Sequence, residues 1–278
     1  MLGGVYSLVA MGLTVIFGVM KLINFAHGEL VMLPMYFAYW LFALWGVDPL
    51  ISLVLALPFF FLLGVLIQRM VLNRMLEAPE ENQILVTVGI SLLLMNTALL
   101  FWKSDYRTVN PSYASLSVDL GGSGIRVGFT RLLAFSLVLV LTVLFYQFIS
   151  RTWWGKAMRA TSQNRESALL VGVDVGRVYA VSFGVGAALA SASGIVFCLF
   201  HPVFPTVGQS LVLRAFVVVV LGGMGSFGGA LAGGLIIGLV ESLTAVYVSA
   251  AYKEIFTFLI FGLTLLFRPW GLFGRRQV

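Results

Sequence analysis

The chain has 278 residues, of which 60% are hydrophobic and only 10% charged, with a formal net charge of +6. Soluble domains carry about 25% charged residues, so this composition, with a mean hydropathy of +1.02, excludes a soluble globular domain. The apolar residues lie in continuous runs of the roughly 20 residues a bilayer asks of a spanning helix, which also excludes the short alternating segments of a membrane β-barrel.

The fold class is therefore an all-α polytopic membrane protein, organised as one transmembrane domain over residues 1–278. About eight spans are expected, at 2–20, 30–46, 50–72, 83–102, 131–150, 179–200, 213–247 and 250–267, broken near 22–29 and 222–229. The first run lacks a basic leader and a small-residue cleavage pattern, so it reads as a retained helix rather than a signal peptide. It starts at Met1 without lead-in, and the chain is expected to begin late relative to its relatives.

After the first span comes a polar island, Lys21-Leu22-Ile23-Asn24-Phe25-Ala26-His27-Gly28-Glu29. Asn24 and His27 are three apart and share a helical face. Two readings stand. Ionisable groups at membrane depth are costly and line polar pathways; alternatively the island is a wet turn between helices. A metal is not expected, because His27 and Glu29 are two ligands and His201 lies far along the chain.

Residues 103–130 form a polar loop with turn chemistry at Asn110-Pro111 and Gly121-Gly122. Residues 151–178 form a basic loop carrying Arg151, Lys156, Arg159, Arg165 and Arg177 against Glu166 and Asp174. The C-terminus adds Arg268, Arg275 and Arg276. Such a bias puts the 151–178 loop and the C-terminus in the cytoplasm and the 103–130 loop outside. The positive charge is orientation charge, and no nucleic-acid partner is expected. Residues 156–171 are expected to form a short amphipathic helix stopped by Gly172. That helix either lies on anionic lipid or offers Leu169, Leu170 and Val171 to a partner's groove.

Crossing parity requires an even number of spans between 178 and 268, yet the apolar runs count three. The run 213–247 resolves this, because Gly222, Gly223, Gly225, Gly228 and Gly229 interrupt it. Each glycine costs a helix about 1 kcal/mol relative to alanine, so a short half-helix, a broken turn inside the protein at membrane depth and a second helix are expected. The glycines serve close packing, a path lining, or both. They are not a phosphate loop, since no Gly-Lys-Ser/Thr follows. Glu241, in the apolar run beyond, couples an ion, lies near the membrane boundary, or hydrogen-bonds a neighbouring helix. Cys198 stands alone, so no internal disulfide or cysteine metal site exists.

Three stretches, GLTVIFGVMKLINFAHGELVML (12–33), MRATSQNRESALLVGVDVGRVYAVSFGVGAALASASGIV (158–196) and FVVVVLGGMGSFGGALAGGLIIGLVES (216–242), resemble the LivH-type permease subunit of branched-chain amino-acid ABC transporters. The resemblance runs in order over essentially the whole chain. It implies a multi-pass protein of the bacterial inner membrane, not an enzyme and without a cofactor of its own. Implied partners are a homologous second permease, two cytoplasmic ATPases, an external substrate-binding protein, an amino-acid substrate and membrane lipid. The resemblance implies a translocation path at Asn24, His27, Glu29, Gly223, Gly225 and Ser226, and an ATPase-coupling surface at Arg159, Asn164, Arg165, Glu166 and Gly172. A related importer for urea or short amides, and a self-sufficient ion-coupled transporter using Glu241, are the alternatives.

Overall fold

The computed structural model describes residues 1–76, 78–119 and 126–274. Its helices are α1 (Leu2–Met20), α2 (Glu29–Trp45), α3 (Pro49–Met70), α4 (Glu80–Trp102), α5 (Phe129–Arg151), α6 (Trp153–Gln163), α7 (Arg165–Leu170), α8 (Val175–Cys198), α9 (Val207–Gly222), α10 (Phe227–Tyr247) and α11 (Lys253–Phe267). One small antiparallel ribbon, β1 (Ser117–Asp119) with β2 (Arg126–Gly128), sits between α4 and α5, pairing Val118 with Val127. The turn expected at Gly121-Gly122, and the charges Glu77, Arg275 and Arg276, lie outside the described residues.

Eight segments among the described residues are long and apolar enough to cross a membrane, and α9 is a shorter apolar helix. At 16 residues, α9 is about 24 Å long, somewhat less than the ~30 Å hydrocarbon core. It still runs from one end of the bundle to the other. Its start follows Val203, whose backbone exchanges hydrogen bonds with Arg107 at the far end. Its last carbonyls, of Leu221 and Gly222, accept from Leu272 and Phe273 of the C-terminal segment. Four helices, α8 to α11, therefore lie between the basic loop and the C-terminus. The parity expectation holds because the glycine break splits one apolar run in two.

α1 and α8 form the centre. Small residues let backbones approach closely, which is how helices pack where lipid removes the hydrophobic drive. A Cβ at Gly12 of α1 would meet the Gly186 carbonyl of α8 at 2.8 Å. On α1's other side, a Cβ at Gly3 would lie 2.8 Å from the carbonyl of Gly234 on α10. Ser7 fills this second seam and donates to the Leu231 carbonyl at 2.9 Å. By contrast α4 buries little more than Thr87, Ser91 and Ala98, and α11 buries Thr257 and Thr264. Their remaining apolar faces suit lipid or a neighbouring subunit.

Local chemistry sets the helix ends. Asp48 caps α3 by accepting from Leu50 N–H at 2.8 Å, with Pro49 at the first helical position, where its missing N–H costs nothing. Asp174 caps α8 and Ser226 caps α10 in the same way. The helix expected over 156–171 is instead two. Asn164 adopts an extended backbone (φ −154°, ψ 112°) and its Oδ1 accepts from Ser167 N–H, so it ends α6 and caps α7. An asparagine that can bond the backbone locally competes with helix continuation. Gly172, at φ +82°, stops α7 in the left-handed geometry glycine tolerates.

Candidate translocation path and coupling surface

The polar island re-enters the bundle. After α1 ends at Lys21 in left-handed geometry (φ 57°), the chain runs through Asn24 into a single tight turn, Phe25–His27, before α2 begins. His27 is fully buried against the middle of α1. Its Nε2–H donates to the Val9 carbonyl at 3.0 Å, and Gly12 leaves room for the ring: a Cβ there would lie 2.9 Å from His27 Cε1. Glu29 is also buried, with Oε1 accepting from Ser91 at 3.2 Å. Ser91 stands midway along α4, and one turn earlier Thr87 donates to the Ile23 carbonyl at 3.1 Å. The island is thus not a wet turn. It is a polar segment inside the bundle, gripped by one face of α4.

That segment is under-satisfied. Both side-chain polar atoms of Asn24, Nδ1 of His27 and Oε2 of Glu29 are buried without a hydrogen-bond partner, as are both polar atoms of Gln68 on α3. Leaving such groups unmet costs about 1–3 kcal/mol each.

The second break is not the re-entrant break inside the bundle that the sequence suggested: α9 runs on to the bundle end where α1 finishes, and the glycines turn the chain there, beside Gly18 and the C-terminal segment. Gly223 and Gly225 take φ of +99° and +86°, and Ser226 Oγ accepts from Gly229 N–H at 3.1 Å. A Cβ at Gly18 of α1 would come within 3.3 Å of Gly225 Cα. Gly223 is covered by the C-terminal segment, its Cβ position only 2.5 Å from Gly274 N. The proposed path residues therefore split into two groups. Asn24, His27 and Glu29 face the packed interior, whereas Gly223, Gly225 and Ser226 shape a turn at its edge. None of the six lines a cavity of about 790 Å³ that lies between the two breaks, whose wall takes Ile23 from the first break and Met224 from the second.

Glu241 is 2% exposed and fully engaged. Arg214 Nε donates to its Oε1 at 2.9 Å, Tyr6 donates to Oε2 at 2.8 Å, and Thr257 is 3.4 Å from Oε1. Arg214 also reaches Glu254 at 2.7 Å. This cluster joins α1, α9, α10 and α11, and the carboxylate hydrogen-bonds neighbouring helices rather than standing open to an ion. Sequence reading singled out Glu241 but not Arg214, Tyr6 or Ser91. The available signal was Arg214 itself, a cation in an apolar stretch that needs a counter-charge.

His201 lies beyond α8, its ring stacked on Phe197 at 4.3 Å and its Nδ1 against the Pro202 carbonyl. Burial lowers its pKa from the ordinary value.

At the other candidate surface, α6 buries Gly155, Ala157, Met158 and Thr161 and turns Lys156 and Arg159 outward. Arg159 is anchored by the Ile149 carbonyl at the end of α5. Asn164, Arg165, Glu166 and Gly172 are all exposed, as are Leu169, Leu170 and Val171, at 51%, 87% and 77%. Arg165 and Leu169 border a cleft of about 360 Å³ together with Asn73, Leu76 and Tyr179, so the α3 terminus and α7 share one end of the bundle.

Over residues 1–266 the chain matches the family described as the permease component of branched-chain amino acid transport systems. The chain belongs to this family. It is 32% identical over 293 residues to the high-affinity branched-chain amino acid transport system permease protein LivH of Salmonella typhimurium, covering all of this chain and 94% of that protein. The corresponding permease BraD of Pseudomonas aeruginosa is 30% identical over 99% of this chain and 94% of its own length. A probable LivH of Methanocaldococcus jannaschii is 28% identical, over 96% of this chain and 88% of its own length. No solved structure matches the chain. The protein is accordingly a multi-pass membrane transport permease and not a catalytic enzyme.

Proposed function

We propose that this permease forms half of the translocation pathway of an ATP-driven importer for branched-chain amino acids. A second, homologous permease supplies the other half, two cytoplasmic ATPases supply the energy, and an external binding protein delivers the substrate. The glycine turn at 222–229 ends without the Gly-Lys-Ser/Thr that a phosphate loop needs, which fits hydrolysis elsewhere. Charge bias supports an orientation with Arg69, Arg74, the α6–α7 segment and Arg268 in the cytoplasm of the cell.

The observation that carries the coupling role is the apolar knob at 169–171, exposed beside Arg165 and Glu166 at the end of a capped, two-helix arm. An apolar knob ringed by charges suits a groove on a soluble partner. Nucleotide-driven closure of the ATPases would then push on α6 and α7, and rigid rocking of the helices would switch access from one side to the other. The buried, unmet polar atoms of Asn24, His27 and Glu29 are the groups such rocking would bring into contact with solute.

Affinity purification of the tagged chain from its native membrane tests this. A sister permease and an ATPase pair should co-purify, and leucine uptake into vesicles should require ATP and the binding protein. Uptake by the chain alone, driven by an ion gradient, would overturn the reading.

A further inference from the structure

We propose that the 790 Å³ cavity at the end of α1 is the exit vestibule for the substrate, and that Lys21 and Glu80 on its wall meet the carboxylate and the ammonium of a zwitterion. This rests on the importer reading and assigns the substrate's two charged groups to named residues on its exit route.

The cavity has the size of a ligand site, for which about 300–1,000 Å³ is usual. Both chain breaks border it, through Ile23 and Met224, with Gln83 of α4 and Trp270 of the C-terminal segment completing the wall. Ile23 directly precedes the buried Asn24, so the vestibule opens where the re-entrant segment begins. The cavity lies at the same bundle end as Arg268 and the α6–α7 arm, the cytoplasmic end in the proposed orientation.

Its two charges are opposite in sign and held by different elements. Lys21 caps α1 with φ 57°, its N–H bonded to Phe17 O, and its ammonium stands 5.8 Å from the Phe17 ring. Glu80 is the first residue of α4, where the helix dipole favours a carboxylate. Among the described residues neither forms a salt bridge, so both charges remain available to a solute. Phe17, Ile23, Ile84 and Met224 give the wall an apolar part, beside the polar Gln83. A cation, an anion and an apolar wall complement an amino acid with an aliphatic side chain. A neutral amide such as urea has no use for the two charges.

The test uses the full complex in proteoliposomes. Lys21→Met and Glu80→Gln should each slow leucine import by about tenfold or more, the worth of a hydrogen bond to a charged group, and Lys21→Arg should regain the rate lost. A second readout needs no import. Cys198 is buried, so Met224→Cys supplies a single accessible thiol at the cavity. Its labelling by a methanethiosulfonate should be slowed by millimolar leucine but not by urea, and the protection should vanish on adding Lys21→Met. If wild-type complex imports leucine while both charge variants match it and leucine protects equally in all, the vestibule assignment fails and the importer reading survives. If wild-type complex imports urea and no amino acid, and urea protects the thiol, the substrate reading fails as well.

Discussion

Arg214 of α9 and Glu241 of α10 form a buried ion pair, Nε to Oε1 at 2.9 Å, with the Arg214 and Glu241 side chains 11% and 1% exposed. Breaking such a pair by removing one partner leaves an uncompensated charge, at a cost of roughly 3–5 kcal/mol. Arg214→Ala should therefore destabilise the protein by about that amount, read as a fall in the thermal unfolding midpoint in detergent. Replacing both residues with leucine should cost less than the two single changes combined. Additive losses would show that the pair does not act as a unit.

Gly12 presents no side chain to His27, and this leaves the imidazole its place on the Val9 carbonyl. Overpacking a filled interior costs about 1–3 kcal/mol. Gly12→Ala should lower stability within that range, whereas Gly89→Ala, where a Cβ meets open space, should not. Equal effects of the two would remove the argument for a tight α1–His27 contact.

The hold of α4 on the re-entrant segment rests largely on Ser91 and Thr87. Ser91→Ala removes the donor to Glu29 and leaves both carboxylate oxygens without a partner, a loss of about 1–3 kcal/mol. Hydrogen exchange should report it as faster opening of the segment around Glu29 and of α4, with α8 unchanged. Exchange spread evenly over the bundle would contradict a local clamp.

At the coupling arm, Asn164→Ala deletes the α7 cap at a cost of about 1 kcal/mol. Leu170→Asp adds a charge to the exposed knob without touching the core. Both variants should fold and reach the membrane, and both should recover less ATPase on purification, Leu170→Asp the more severely. Arg165→Glu should act in the same direction. Undiminished ATPase recovery from Leu170→Asp would place the docking surface elsewhere.

Much of this architecture is readable in the residues. The spans, the two breaks and the even crossing count behind the basic loop follow from apolar run length, glycine clustering and charge. The division of 156–171 at Asn164 was not readable, because its amphipathic pattern suits one helix or two and the cap geometry decides. Nor did the pattern say whether Asn24, His27 and Glu29 are wet. Their spacing gives a face, but α1 and α4 determine what that face meets.

Membership in a lipid-embedded helical class is local, since about 20 consecutive apolar residues suffice for each span. The Glu241 cluster is not local. Its carboxylate is tied to Arg214, 27 residues away, and to Tyr6, 235 residues away, so only the packing of separate helices brings the charge its partners. The same holds for the cavity between Lys21 and Glu80, whose walls come from α1, α4, the glycine turn and the C-terminal segment.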